Sequence, residues 1–380
     1  MSSPPLRVML VAATLGFGGA EKHVVTLANS FDAERFRCSV VYLKPDETLL
    51  NQLIASRLDA IISLNVQRRI DWRAVAALTG HLDRLAIDVI LCATEYPALI
   101  ALLAARKARR RPKLIEIFHT TVFGTIKGRV QMWLYRRIFR RLDLLVYVSR
   151  KQMEYWQSKG LGAKRSVVIH NGIDCEHFRD TYSAAEKATL RARYGFASAD
   201  FVIGICAALR PEKAHGDLLQ ALARLRSLSI NARCLIIGDG PERNNIESTI
   251  AQLGLKDSAA ITGFQADVRP LIASCDVIVL ASRTVETFSI AALEAMALGK
   301  PVVLSRIGGA EELVTDGDNG FLFEAGDVQQ LAVHLQALAT QSTRLRMGAA
   351  ARDRVRGSFT ESGMVKQYVE QISQTMAQHP

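Results

Sequence analysis

The 380-residue chain lacks an apolar run long enough to cross a membrane as a helix. Its stretch 97–105 is about half of the ~18 residues such a span needs. The apolar start, 8–15, follows a single Arg7 and has no convincing cleavage site, so it reads as a first strand rather than a signal peptide. Paired cysteines are lacking too. Cys38, Cys92, Cys175, Cys206, Cys234 and Cys275 show no CxxC spacing, and most lie in apolar segments. They are expected to be buried free thiols of a reducing cytoplasm, which excludes a disulfide framework. No cluster of His, Cys or Asp has metal-ligand spacing. Hydrophobic residues at 49% and charged residues at 22% exclude disorder and a collagen-like chain.

Negative charge is scarce in one half only. Residues 1–190 hold 29 basic and 17 acidic residues, a net of +12, whereas 191–380 hold 19 and 20, a net of −1. The first half should therefore meet something anionic.

What the chain does have is alternation. Short β-branched runs recur with helical patterns between them. The expected strands are 6–13, 37–43, 87–92, 113–118, 144–148 and 166–169 in the first half. In the second they are 201–207, 233–237, 259–262, 277–281, 301–304 and 320–323. Most are nearly continuous in apolar residues, as strands covered on both faces should be. Strands alternating with helices imply parallel sheets. A polar stretch, 174–200, separates two such patterns, so two doubly wound α/β domains are expected. Ligands of such sheets sit at the carboxyl ends of the strands.

Four motifs carry chemistry. In 283–303, a strand turns into a helix expected to begin near Phe288 and to end at Gly299. The N–H groups of Phe288, Ser289 and Ile290 would form an anion site with the helix dipole. Glu286 precedes that helix and Glu294 lies inside it. Carboxylates there suit sugar or ribose hydroxyls; the plain alternative is a helix-start acid and a solvated one. In 208–217, Arg210 and Lys213 follow a strand and could neutralise a diphosphate leaving group. Gly238-Asp-Gly240-Pro is a strand-to-helix turn, weak alone. Thr14-Leu-Gly16-Phe-Gly18-Gly19-Ala-Glu21 lets backbone approach a phosphate, but the second strand ends in Leu43-Lys44, without the acid a dinucleotide fold wants. His119 closes the strand 113–118. Asp316-Gly-Asp318 could hold a metal, but Asn319-Gly320 after it makes a turn the better reading.

Together these residues resemble a retaining glycosyltransferase of family 4, with the GT-B fold of two Rossmann-like domains facing a cleft. The resemblance rests on Glu286 and Glu294, seven residues between them, and on Gly18-Gly19-Ala-Glu21, Asp143 to Ser149, His170 to Asp174, Arg210 with Lys213, Gly238 to Pro241 and Thr262-Gly-Phe264. It implies a first domain of 1–178 completed by a last helix in 361–380, and a donor domain of 179–360. Arg210 and Lys213 would hold the donor diphosphate, and Glu294 the ribose. Glu286 would contact the donor sugar, with His119 beside it. Gly18 and Gly19 would approach the diphosphate, Gly238 would belong to the donor site, and Phe264 would border the base. Many members carry glycine at the positions of Thr287 and Ser289. The implied reaction transfers a sugar from a nucleoside diphosphate, UDP favoured over GDP, to a hydroxyl with retention. It needs no metal or cofactor; the sugar nucleotide is a co-substrate. The alternatives are a sugar-nucleotide hydrolase or epimerase of the same fold, or a non-catalytic protein that binds an anionic ligand. No nucleic-acid motif is present.

The excess charge is concentrated. Residues 106–113 hold six cations in eight positions, including Arg109, Arg110 and Arg111. In 127–141, helical spacing puts Trp133, Arg136, Arg137, Arg140 and Arg141 on one face and Leu134, Tyr135, Ile138, Phe139 and Leu142 on the other. Basic residues beside Trp suit a headgroup region. A peripheral enzyme on the inner face of the cell membrane is expected, acting on a lipid-linked glycan for cell-surface polysaccharide.

Overall fold

The computed structural model describes residues 4–16, 18–68, 70–120 and 126–378, with the side chains of 126–130 and 134 left aside. The chain forms two compact units. One is Met1–Asn171 with Glu361–Pro380; the other is Gly172–Thr360.

The first unit is built on a parallel sheet of seven strands. They are β1 (Leu6–Ala12), β2 (Phe36–Tyr42), β3 (Leu58–Ser63), β4 (Val89–Ala93), β5 (Lys113–Phe118), β6 (Leu144–Tyr147) and β7 (Arg165–Val168). Their spatial order is β3-β2-β1-β4-β5-β6-β7. β4 and β6 bury every residue, and β1 and β5 all but their first one or two, because helices cover both faces. β3 is the strand that sequence patterning misses. It lies at the sheet edge, includes Asp59, is only partly buried, and pairs with β2 through a register shift at Cys38/Ser39. An edge strand has no continuous apolar run to reveal it.

The second unit carries β8 (Phe201–Cys206), β9 (Ala232–Ile237), β10 (Ala259–Ile261), β11 (Val277–Leu280), β12 (Val302–Ser305) and β13 (Gly320–Phe323). All are parallel, in the order β10-β9-β8-β11-β12-β13. Each unit is therefore doubly wound, with its strand order reversing between β1 and β4 and between β8 and β11. The polar stretch 174–200 holds the helix Ala184–Arg193, started by a full capping box of Ser183 and Glu186.

The C-terminal helix Glu361–Ala377 belongs to the first unit. Ser30 donates to Glu361 at 2.5 Å, Arg165 reaches Gln371 at 2.6 Å, and buried Tyr368 lies edge-on to His23. The six cysteines are free; Cys38, Cys92, Cys234 and Cys275 are buried. Burial pushes the Cys92 thiol well above its ordinary value and Cys275 to about 12.

Helix Ile290–Ala297 ends as its sequence demands. Gly299 takes φ 72°, and the Lys300 amide returns to the Ala295 carbonyl at 3.0 Å. The long helix Gln341–Ser358 crosses that turn at Gly348, where a Cβ would stand 2.2 Å from the Gly299 carbonyl oxygen. Backbone cannot yield as a side chain can. Gly348→Ala is expected to cost about 1–3 kcal/mol by overpacking, read as a lowered midpoint of thermal unfolding; an unchanged midpoint would show that the crossing is loose.

Candidate active site

Because β8 to β13 run parallel, the loops leaving their carboxyl ends gather at one edge of the sheet. Strand order reverses between β8 and β11, which opens a crevice for a ligand. The loop after β8 carries Arg210 and Lys213; the loop after β11 carries Arg283, Glu286 and Ser289. These loops are laced together. Lys213 Nζ pairs with Glu286 Oε2 at 2.9 Å, both about one-fifth exposed. Arg283 grips Asp217, in the first turn of helix His215–Ser227, at 2.9 and 2.5 Å. The Arg283 amide donates to the Glu212 carbonyl at 2.9 Å. Arg210 is exposed and meets no carboxylate at ion-pair distance among the described residues.

The helix after Glu286 starts at Ile290, two residues later than expected. Phe288 and Ser289 are therefore not helical donors. Phe288 is buried, its ring 5.2 Å from that of Phe359, and it anchors the turn. Ser289 is the N-cap: its hydroxyl accepts from the Ala292 amide at 3.2 Å. The side chain that stands where many family members have glycine thus stabilises the helix start. The amides of Ile290 and Ala291 remain at the positive end of the dipole. Glu286 lies outside that first turn. Glu294, at 3% exposure, is not a solvated helix residue either. A buried carboxylate needs polar partners.

The turn around Glu286 is held from behind. Gly308 has φ 55°, and a Cβ there would meet the Glu286 carbonyl oxygen at 2.0 Å, while the Gly309 amide donates to the Thr287 carbonyl at 2.6 Å. Gly238 and Gly240 play a comparable part at the next loop. A Cβ on Gly238 would stand 2.1 Å from the Ala207 carbonyl oxygen, and the Leu209 amide donates to Asp239 O at 3.0 Å. This glycine turn fixes the path of the chain towards Arg210. Gly238 bridges to Gly263, and Phe264 beside it is 53% exposed. Asp316 accepts from the Leu322 amide at 2.9 Å, and Asn319 accepts from Thr315 at 2.8 Å. The Asp316-Gly-Asp318 segment is a turn.

In the first unit, Gly18 is the N-cap of helix Gly19–Ser30, whose amides lie at the carboxyl end of β1. A Cβ on Gly18 would meet Glu21 Oε2 at 2.3 Å. His119 directly follows β5. Its Nε2 is buried without a partner among the described residues, and its ring lies edge-on to His23 at 5.2 Å. His23 Nδ1 bonds Asn171 Oδ1 at 3.1 Å. Burial lowers His119 to about 3 and His23 to about 4, so both rings are neutral at neutral pH. His215, buried beside Lys213, is likewise lowered to about 4.

The basic helix spans Ile126–Phe139, so Arg140 and Arg141 lie in the turn beyond it rather than on its face. Arg136 is not a surface cation either: it is half-buried, and its Nε donates to the Gly160 carbonyl at 3.2 Å. Trp133 is 51% exposed under the Arg137 guanidinium, 4.7 Å from the ring centre. Tyr135, Phe139 and Leu142 are buried as expected, and Ile138 is half-buried; the Leu134 side chain lies outside the described residues. Arg109, Arg110 and Arg111 are exposed, with Arg110 3.5 Å from Asp88.

Two family models match the chain: Glycosyltransferase Family 4 over residues 17–177 and Glycosyl transferases group 1 over 186–354. The lipopolysaccharide core biosynthesis glycosyltransferase LpsE of Rhizobium meliloti is 30% identical over 77% of this chain and 83% of its own. The chain belongs to glycosyltransferase family 4. The N-acetyl-alpha-D-glucosaminyl L-malate synthase of Bacillus anthracis is 28% identical over 71% of this chain and 70% of its own. Among solved structures, Anabaena HepE in complex with UDP-glucose matches with a TM-score of 0.85 and 23% identity, covering 97% of this chain and all of that one. That likeness shows the fold, which is GT-B.

For this glycosyltransferase, sequence reading overlooked Arg283, Asp217, His215 and Gly308. Arg283 and Asp217 stood at the ends of recognised motifs, 66 positions apart, so nothing local marks them as partners. Gly308 in Ile307-Gly308-Gly309 was the available signal for a close backbone approach.

The buried histidines set a pH limit. Their folded values lie below the 6.5 of an exposed ring, so the unfolded chain takes up protons first. Stability is therefore complete above about pH 6.5 and declines as pH falls towards 4, by up to about 1.4 kcal/mol per pH unit for each histidine. Thermal unfolding followed from pH 7.5 to 4.5 should show this decline, with a shallower slope in His119→Gln. Parallel slopes would show that His119 is already solvated.

Proposed function

We propose that the protein is a retaining glycosyltransferase that moves a sugar from a nucleoside diphosphate, with UDP favoured over GDP, to a hydroxyl of a lipid-linked glycan. The observation that carries this reading is the convergence of Lys213, Arg210, Glu286 and a capped helix N-terminus at the strand-order reversal of the second unit. Arg210, Lys213 and the Ile290 amide would bind the diphosphate and stabilise it as it leaves. Glu286 would then turn from Lys213 to the sugar hydroxyls. Glu294 would hold the ribose, and Phe264 would border the base beside Gly238. Gly18, Gly19 and His119 would act on the same donor, as the family resemblance assigns. These cations would do the charge stabilisation that a metal supplies in other transferases. UDP-glucose in the similar HepE, and lipopolysaccharide core synthesis by LpsE, support the donor and the pathway.

Binding and turnover separate the roles of the two glutamates. Glu294→Ala should weaken UDP binding by about 1.5–3 kcal/mol, the worth of a charge-assisted hydrogen bond, while Glu286→Ala chiefly lowers turnover. Calorimetry with UDP, and initial rates with UDP-sugars in excess chelator, measure both. Unchanged binding and rate in both variants would sink the assignment. Activity lost to chelator and restored by manganese would replace the metal-free reading.

The membrane part of the proposal rests on exposed Trp133, Arg137, Arg140 and Arg141 and on Arg109 to Arg111. Each cation near an anionic surface contributes about 1 kcal/mol. The protein should co-sediment with anionic liposomes at low salt. A variant with Arg137, Arg140 and Arg141 changed to Gln should do so much less. Indifference of the wild type to anionic liposomes would point to a soluble acceptor.

A further inference from the structure

A second hollow lies wholly within the first unit. Its volume is about 330 Å3, inside the ~300–1,000 Å3 range of small-molecule sites. It sits where β2, β3 and β4 deliver their carboxyl ends, the edge at which doubly wound sheets bind ligands. Lys44 follows β2, Gln67 and Arg68 follow β3, and Tyr96 lies in the helix Glu95–Ala105 after β4. Gln131 and Tyr135 of the helix Ile126–Phe139 also line it.

Among the described residues the lining contains two cations, Lys44 and Arg68, and no carboxylate. Neither Lys44 nor Arg68 has an ion-pair partner among the described residues. The acids nearby are turned elsewhere. Asp46 accepts from the Thr48 hydroxyl at 2.9 Å, and Glu47 from the Tyr42 hydroxyl at 2.5 Å. Asp71 caps the helix Trp72–Arg84, and Glu95 accepts from Thr120 at 2.8 Å. Lys44 Nζ lies 5.9 Å from the centre of the Tyr96 ring, and the Tyr96 hydroxyl donates to the Arg68 carbonyl at 3.3 Å. Lys44 and Tyr96 are thus adjacent in the lining, and Tyr96 is tied to the backbone of Arg68. The Gln67 amide nitrogen is already spent on Asn65 at 2.8 Å, which leaves its carbonyl oxygen to accept.

We propose that this hollow receives an acceptor saccharide bearing an anionic group, carboxylate or phosphate, with Lys44 and Arg68 as its specificity-determining cations. The inference rests on the transferase reading and names the class of its acceptor. A concave site with one sign of charge focuses the potential on a ligand of the opposite sign. The arginine fork fits a carboxylate or a phosphate in two-pronged fashion. Tyr96 offers an apolar face to the C–H side of a pyranose, and the glutamine amides suit its hydroxyls.

The test uses the full chain without donor. Calorimetry compares methyl glucuronide, glucose 6-phosphate and uncharged methyl glucoside. At least one charged sugar should bind about tenfold tighter than methyl glucoside or better, since charge-assisted hydrogen bonds are the strong ones. Which one does so tells carboxylate from phosphate. The preference should weaken with added salt and vanish in the Lys44→Ala/Arg68→Ala double variant, while that variant keeps the wild-type unfolding midpoint and affinity for UDP. A wild type that binds UDP but shows no charge preference, or binds none of the sugars, overturns the pocket and leaves the donor reading standing. A variant that keeps the preference also overturns it. Failure of the wild type to bind UDP, with the preference present, strikes the donor reading instead.

Discussion

Two loops bonded across a reversal of strand order govern the rest of the second unit. β8 and β11 are neighbours in the sheet but lie far apart in sequence, and nothing in the sheet itself fixes the loops beyond them. Lys213 with Glu286, and Arg283 with Asp217, supply that fixation. Charged groups this close, and only partly solvated, would be unfavourable alone; together they neutralise each other. In the transferase reading an incoming diphosphate offers Lys213 a second counter-ion and leaves Glu286 to hydroxyls. The site would thus exchange ionic partners on binding rather than assemble charges from nothing.

The support for this clasp is made of backbone. Gly308 admits the carbonyl of Glu286, and Gly238 admits that of Ala207. Each contact places one loop against the carbonyl of another. The result is a rim whose shape depends on places where no side chain can stand, with Ser289 added to start the helix that the rim feeds.

Most of the fold could be read from the chain, because strands covered on both faces leave short, β-branched apolar runs that alternate with helical patterns. β3 escaped because an edge strand carries polar residues such as Asp59. The helix after Glu286 starts at Ile290 rather than near Phe288 because the Ser289 hydroxyl caps it. Glu286 and Lys213 were legible one by one, but their 2.9 Å bond was not, since 73 positions separate them. On the basic helix, periodicity located the face but not the carbonyl of Gly160 that draws Arg136 inward. Sequence spacing reports periodicity; it is silent on long-range partners.

The first unit is discontinuous in sequence, and its closing helix is made after the whole of the second unit. Until Glu361–Ala377 leaves the ribosome, Tyr368 cannot cover His23, and Arg165 lacks Gln371. The second unit, Gly172–Thr360, is continuous and has every strand it needs beforehand. Domains tend to fold in the order of synthesis. Here the order of completion is inverted: the unit begun first is finished only after the other is whole, and the nascent chain must shelter an incomplete sheet face for the length of an entire domain.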